Sequence, residues 1–443
     1  MLRDHRAAVE SLRLDLKLNV LFNVAVLRPR YLAVLLLSSA CGGGGAGAPA
    51  TADSGTPPDG PTDAAPDATF AEIHASDVPI AGLSAADVAG FNRGDALFDL
   101  PFRAPDGLGP LYINTSCGAC HAEGSRGPGL VQKMAIVEAD GVTPTADQSG
   151  LPYGHTERGR LEAGATTVIG PPAGLNVLVT SRVGPPVLGR GYLEAVDDAE
   201  LVRVRDAQAL RTDGIHGTIG TAIYASVPNP DPSFGSFQQG QTVTGKFGLK
   251  LRVATIDDFT ADAFQGDMGL TTPMRPNELP NPDGLTDDAH PGVDLAQAQI
   301  DQIAFYLRRI AIPLRVGLTD RGKALFDQVA CSACHVPSLR TRADYPIPQL
   351  AGIDAPIYSD LLLHDMGTAL ADGQTDGGAT SLQWRTAPLI GLRFTRNYLH
   401  DSRAPDVTAA VLAHAGEALG AAQAFQALSA DDQTALIQFV EAL

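Results

Sequence analysis

The sequence predicts a mainly α protein of two related domains, the first enlarged by loop-rich insertions with a few short strands. Two observations lead there. Arg93-Gly-Asp-Ala-Leu-Phe98 recurs as Arg321-Gly-Lys-Ala-Leu-Phe326, and each copy runs on to a C-x-x-C-H string. Each half then closes on a stretch with apolar residues at helical spacing, Asp294 to Ile310 and Ser429 to Leu443. Ser429 and Asp432 stand as a capping pair at the start of the second stretch. One repetition of this length argues for two domains and against a solenoid. The first is expected at 69–313 and the second at 314–443. The excess of the first, roughly Gly124 to Gly292, is rich in Gly, Pro, Asp and Thr. It offers strand-like pieces such as TTVIG and NVLVT but no long periodic helix.

The 443 residues suffice for two or three cores. With 44% hydrophobic residues and a mean hydropathy near zero, the body reads as globular. The 47 glycines and 32 prolines against 6% aromatics imply many loops, which a chain needs to wrap a large flat group. A net charge of −18 argues against a nucleic-acid partner. It suits a small basic partner or none.

The N-terminus reads as an export signal. Arg28 and Arg30 precede the short apolar run YLAVLLLSSA, which ends at Cys41. A basic flank, a short apolar core and small residues before a cleavage point mark a signal peptide, too short to span a membrane. Residues 1–41 are thus a signal region with a lipobox-like Cys41, the expected lipid-attachment site. A start at Val26 would leave a more compact signal than the long, charge-mixed residues 1–25. Residues 42–68 hold Gly, Ala, Pro, Thr and Asp with almost nothing large and apolar, as a disordered linker does. The expected location is the bacterial cell envelope, facing the periplasm or as an outer-membrane lipoprotein, with membrane contact by the lipid anchor only.

The other four cysteines carry chemistry. Cys117, Cys120 and His121 form one C-x-x-C-H string, and Cys331, Cys334 and His335 the other. Two cysteines three apart lie on one face of a helical turn. Their sulfurs can form thioethers to the two vinyl groups of a haem, and the next residue then points its imidazole at the iron. Two covalently bound haem c groups are the implied cofactors, with His121 and His335 as iron ligands. A structural zinc site would place its two C-x-x-C pairs about 15–20 residues apart; these lie in different halves of the chain. A thioredoxin-like motif needs a strand–helix setting that is absent here. Helix, haem string, loops and closing helix is the order of a cytochrome c-like domain.

Further strings extend the picture: FNRGDALFDLPF, DGLGPLYINTSCGACH, RVGPPVLGRGYLEAV, GKFGLK, AFQGDMGLTTP, GKALFDQVACSACHVPSLRT, YSDLLLHDMG, WRTAPLIGL and LHDSRA. With them the chain resembles the bacterial di-haem oxidoreductase family, which includes peroxidase-like proteins and "thiol oxidoreductases" and is related to dihaem cytochrome c peroxidases. The resemblance runs from about residue 90 to the end. It implies a peroxidase-like enzyme that passes electrons from the C-terminal haem to the N-terminal haem for peroxide reduction. The alternative is a non-catalytic dihaem electron-transfer cytochrome.

The resemblance also assigns roles. Asp267, in an acidic-Met-Gly string, is the candidate catalytic acid/base. His414 is the preferred distal ligand of the second haem, with Met366 as its rival. The relatives keep a Trp between the haems where this chain has Leu249, and the only Trp here is Trp384. His364 and His400 are candidate partners of haem groups, and His155 and His216 are candidate distal groups in Gly-rich loops. Arg182, Glu194 and Arg385 lie in family-like strings, where arginines would suit haem propionates. A Ca²⁺ between the domains is a further implied ligand without assigned residues. The implied electron source is a redox donor protein, such as a small basic cytochrome, or a quinol-linked chain.

Overall fold

Among the described residues the chain forms helices α1 (Ala85–Asp99), α2 (Arg190–Ala195), α3 (Asp198–Ala209), α4 (Ile256–Met268), α5 (Gln297–Arg309), α6 (Asp320–Gln328), α7 (Val407–Leu412), α8 (Leu419–Gln426) and α9 (Ala430–Glu441). The strands are β1 (Leu111–Tyr112), β2 (Leu130–Ile136), β3 (Arg160–Leu161), β4 (Val177–Val183), β5 (Thr221–Ile223), β6 (Thr242–Thr244), β7 (Leu339–Arg340), β8 (Asp354–Ala355), β9 (Leu363–Asp365) and β10 (Gln383–Arg385). They pair as five two-stranded antiparallel sheets: β1–β3, β2–β4, β5–β6, β7–β8 and β9–β10. This computed structural model describes residues 77–122, 130–162, 164–285 and 292–443, all within one unit, 63–443. The signal region, Cys41 and the linker lie outside the described residues.

The expectation of a mainly α protein is overturned. Among the described residues helix accounts for 33% and strand for 15%, with nine α-helices and several small sheets, so the class is mixed. Much of the difference lies in the region 124–292, with β7 to β10 adding strand in the second half. NVLVT falls within and just before β4, which pairs along its length with β2 in a register from Leu130↔Val183 to Ile136↔Val177. That region also holds α3 and α4. The buried face of α4 carries Asp257, Asp258, Thr260 and Gln265 beside Ile256, Phe264 and Met268. Buried polar residues erase the apolar periodicity by which a helix is recognised in sequence.

The repeat is a repeat of packing. Ser84 caps α1, its Oγ accepting from Asp87 N at 3.1 Å. Thr319 caps α6 in the same way from Gly322 N at 3.1 Å. Each helix then crosses its closing helix at the glycine of the RGxALF string. A Cβ on Gly94 would stand 2.7 Å from the Gln302 carbonyl of α5 and run into Tyr306 Cβ. One on Gly322 would stand 2.9 Å from the Ala435 carbonyl of α9 and run into Phe439 Cβ. Only glycine admits both crossings. Ser429 caps α9, as its placement suggests, accepting from Asp432 N at 3.2 Å.

The two largest apolar clusters among the described residues follow. One gathers Phe91, Phe98, Leu193, Phe264, Ile300 and Tyr306, together with Leu361 and Leu362. The other gathers Leu325, Phe326, Phe425, Leu436 and Phe439. A buried polar knot fastens α2, α4 and α5. Arg308 Nε donates to Glu194 at 2.7 Å, Arg308 Nη1 donates to Asp257 at 3.2 Å, and Tyr345 Oη donates to Glu194 at 2.8 Å.

Candidate functional site

Each C-x-x-C-H string is wound into one turn, the second close behind α6 and the first after α1 and the segment that holds β1. In the first, Cys120 N and His121 N both donate to the Cys117 carbonyl, at 3.0 and 2.8 Å. Gly118 N ties the turn to Phe98 O at 3.0 Å, and Ser116 Oγ accepts from Ala119 N at 3.1 Å. In the second, His335 N donates to Cys331 O at 3.0 Å. The two cysteines and the histidine of each string are thereby gathered on one short turn. The last Phe of each RGxALF lies against the imidazole that follows. Phe98 and His121 have ring centres 6.2 Å apart, and Phe326 and His335 6.5 Å.

The two imidazoles are poised as ligands. His335 Nδ1 meets the Tyr358 carbonyl at 3.1 Å, which sets the ring and leaves Nε2 for a metal. His121 is hydrogen-bonded to the Pro185 backbone carbonyl, which holds its ring as Tyr358 holds that of His335. Burial pushes both down to about 4, so both are neutral at ordinary pH, as a ligand must be. Charge on His414 is the next cause at His335, which places His414 near that ring. His414 is half-buried, its Nδ1 on the Ala410 carbonyl at 2.7 Å, so its Nε2 is also left for a metal. Met366 follows β9, half-buried, with its N–H on the Leu382 carbonyl at 3.1 Å.

None of the four cysteines is in a disulfide. Burial, then the Asp267 carboxylate, pushes the Cys117 thiol up to about 12. Burial, then Cys334, does the same at Cys331. A nucleophilic or redox-active thiol needs the opposite shift.

Asp267 lies in the last turn of α4, beside the first string. Its carbonyl accepts from Ile113 N at 2.7 Å and Asn114 N at 3.2 Å, just ahead of Cys117. Gly269 caps the helix at φ +69°, and a Cβ there would stand 2.6 Å from the Gly109 carbonyl. The Gly of the acidic-Met-Gly string thus lets α4 close on the segment that leads to the haem string. Burial, then the Asp262 carboxylate, pushes Asp267 up to about 6, while Lys133, Arg252 and Arg158 hold it from rising further. Sequence reasoning missed those three cations. Lys133 lies on β2, a strand with no clear sequence signal, and Arg158 in an irregular loop.

Around the second string, His364 lies in β9 with Nε2 on Asp360 at 2.9 Å, Nδ1 on Glu417 at 2.7 Å and Cys334 Sγ at 3.8 Å. Burial opposes its charge, but the bonds to Asp360, Cys334 and Glu417 push it up to about 12. Sequence reasoning named His364 but not Asp360 or Glu417. His400 is buried beneath Trp384, whereas His155 and His216 are exposed. Arg182 grips Asp372 and Asp376, and Glu194 belongs to the Arg308 knot.

Two ligand-ready imidazoles, each beside a cysteine pair and an aromatic ring, define a redox protein with two cofactor sites. Residues 63–138 and 173–443 match the family described as "Di-haem oxidoreductase, putative peroxidase", and the chain belongs to that family. Its function is accordingly haem-based redox chemistry. A comparison with curated proteins gave no match. Among solved structures, the chain is similar to a chain of Kuenenia stuttgartiensis hydrazine synthase pressurized with 20 bar xenon, at 13% identity and a TM-score of 0.36, covering 90% of this chain and 100% of that one. The residues fit haem. Neutral, half-buried imidazoles suit the iron, and unpaired thiols three apart stand beside each.

Proposed function

We propose that the chain is an exported dihaem c-type oxidoreductase of peroxidase type, passing electrons from its C-terminal haem to its N-terminal haem for peroxide reduction. Cys117 and Cys120 would attach the first haem and Cys331 and Cys334 the second, with His121 and His335 as their iron ligands. His414 would close the second site as a relay, in preference to Met366. The observation that carries the reading is Asp267, a carboxyl pushed up to about 6 beside the first string. A group poised near neutrality can both give and take a proton.

Bound haem supplies the oxidation and reduction. The chain's residues do the rest. His121 and His335 present neutral nitrogens. Asp267 holds a proton for an oxygen substrate and takes it back, and Lys133, Arg158 and Arg252 favour an anion nearby. Phe98 and Phe326 fix the imidazoles and exclude water.

Location in the cell envelope through a lipid on Cys41, and a small basic cytochrome or quinol-linked donor, belong to the same proposal. The acidic chain suits a basic donor. Ca²⁺ gains no residues. The cluster Cys334, Asp360 and His364 among the described residues is not the all-oxygen set that ion prefers.

The electron-transfer alternative draws on one observation, Leu249 in place of the relatives' Trp. Absorption spectra of the purified dihaem protein with and without peroxide separate the two. A high-spin ferric haem whose spectrum responds to peroxide supports the peroxidase reading. Two low-spin haems indifferent to peroxide would leave electron transfer alone.

A further inference from the structure

Arg190 and Arg385 are buried, at 9% and 7% exposure, and neither forms an ion pair among the described residues. Arg182 and Arg308, buried to a similar degree, each grip two carboxylates. Arg190 donates from Nη2 to the Pro186 carbonyl, and its Nη1 is buried without a partner. Arg385 donates from Nη1 to the Lys246 carbonyl at 3.3 Å, and its Nε is likewise without one. The start of α2 packs on the segment that follows Arg385, since a Cβ on Gly189 would stand 3.2 Å from Ile390 Cδ1, and the charge of Arg385 reaches Arg190. Two adjacent guanidinium groups in a dry interior repel each other, and desolvation disfavours both. Guanidinium keeps its proton even so. An arrangement of this kind calls for anions, and a guanidinium fork matches a carboxylate edge to edge.

The place of the pair names the anion. Arg190 opens α2 just after Gly189, which takes φ +64°. It bonds the Pro186 carbonyl, at the end of a segment that lies on the first imidazole. A Cβ on Gly184 would stand 2.9 Å from Cε1 and 3.3 Å from Nδ1 of His121. Arg190 is also close enough that its charge disfavours protonation of His121. A haem on His121 brings two carboxylates, its propionates, into this neighbourhood.

We propose that Arg190 and Arg385 form a clamp for the propionates of the haem held at His121. The inference rests on the reading that Cys117, Cys120 and His121 hold a haem. The clamp is a positioning device. It would set the tilt of the haem against His121 and keep positive charge beside it.

The test uses holoprotein variants Arg190→Gln, Arg385→Gln and Arg385→Lys. The mass of the intact chain counts attached haems, and a spectroelectrochemical titration reads both potentials at two phosphate concentrations. Removing a positive charge favours the ferric state. Either Gln variant should shift the reduction equilibrium of the N-terminal haem about tenfold toward ferric, which is about 59 mV for one electron. The C-terminal haem should stay unmoved, and Arg385→Lys should keep most of the wild-type value. Two arginine sites keep the test available if one Gln variant fails to fold. Unmoved N-terminal potentials in chains that carry both haems would overturn the clamp alone. So would a potential that follows phosphate in the wild type and not in the variants, since the anion would then be a free one. A wild-type chain without haem on Cys117 and Cys120 would overturn the underlying reading as well.

Discussion

The indole of Trp384 lies flat against the imidazole of His400, with ring centres 3.9 Å apart and planes 17° from parallel. Lys250 Nζ stands over the same indole at 4.0 Å from its centre, and Trp384 Nε1 donates to the Leu370 carbonyl at 3.0 Å. Lys250 is itself held by the carbonyls of Thr380, Ser381 and Gln383, so the ring is a hub for the 370–385 segment. Burial pushes His400 down to about 4 and keeps the stacked ring neutral. Trp384→Ala should cost about 3–5 kcal/mol in urea unfolding. A change under about 1 kcal/mol would show the stack to be incidental.

Asp267→Asn should lower peroxide turnover by about 10²–10⁴-fold while leaving the haem count and the ferric spectra unchanged. The wild-type rate should inflect near pH 6, and the variant should lose that inflection. Stability gives a second check. The Asp267 carboxyl sits above its ordinary value, so its contribution is present at acid pH and is lost as pH rises through about 6. The Asn variant should therefore gain about 2 kcal/mol over wild type near pH 8, and nothing near pH 4.

His414→Ala should turn the C-terminal haem from low to high spin, and added imidazole should restore it. Met366→Leu should leave the spectrum as it was. If the Met variant alone alters it, the ligand is the sulfur and not the imidazole.

Gly322→Ala tests the helix crossing. In an open helix, alanine in place of glycine stabilises by up to about 1 kcal/mol. Here its methyl meets Phe439 and the Ala435 carbonyl. Thermal unfolding should show a loss of about 1–3 kcal/mol, of opposite sign.

Features that repeat or that rest on local chemistry were legible in the sequence. RGxALF, the Ser429 cap and the closing stretches around α5 and α9 all form where their spacing places them. What escaped was polar or non-local. Helix α4 hides because it buries carboxylates, among them Asp257 under Arg308 and Asp258 under Arg275. Lys133 reaches the Asp267 neighbourhood only because β2 pairs with β4 across an intervening loop. Glu417 meets His364 from 53 residues away. Such pairings depend on the folded path and have no local periodicity to reveal them.

The two helix crossings also differ in when they can form. Gln302 reaches back to Gly90 across 212 residues, and Asp432 to Arg321 across 111. At equilibrium the longer loop is a small handicap, about 0.6 kcal/mol per doubling. In time it is a large one. As the chain emerges from its N-terminus, α1 waits for its packing partner until α5 has been made. Helix α6 waits only for the chain's own end. The duplicated unit is therefore asymmetric in its history, and the half bearing Asp267 is the slower to close.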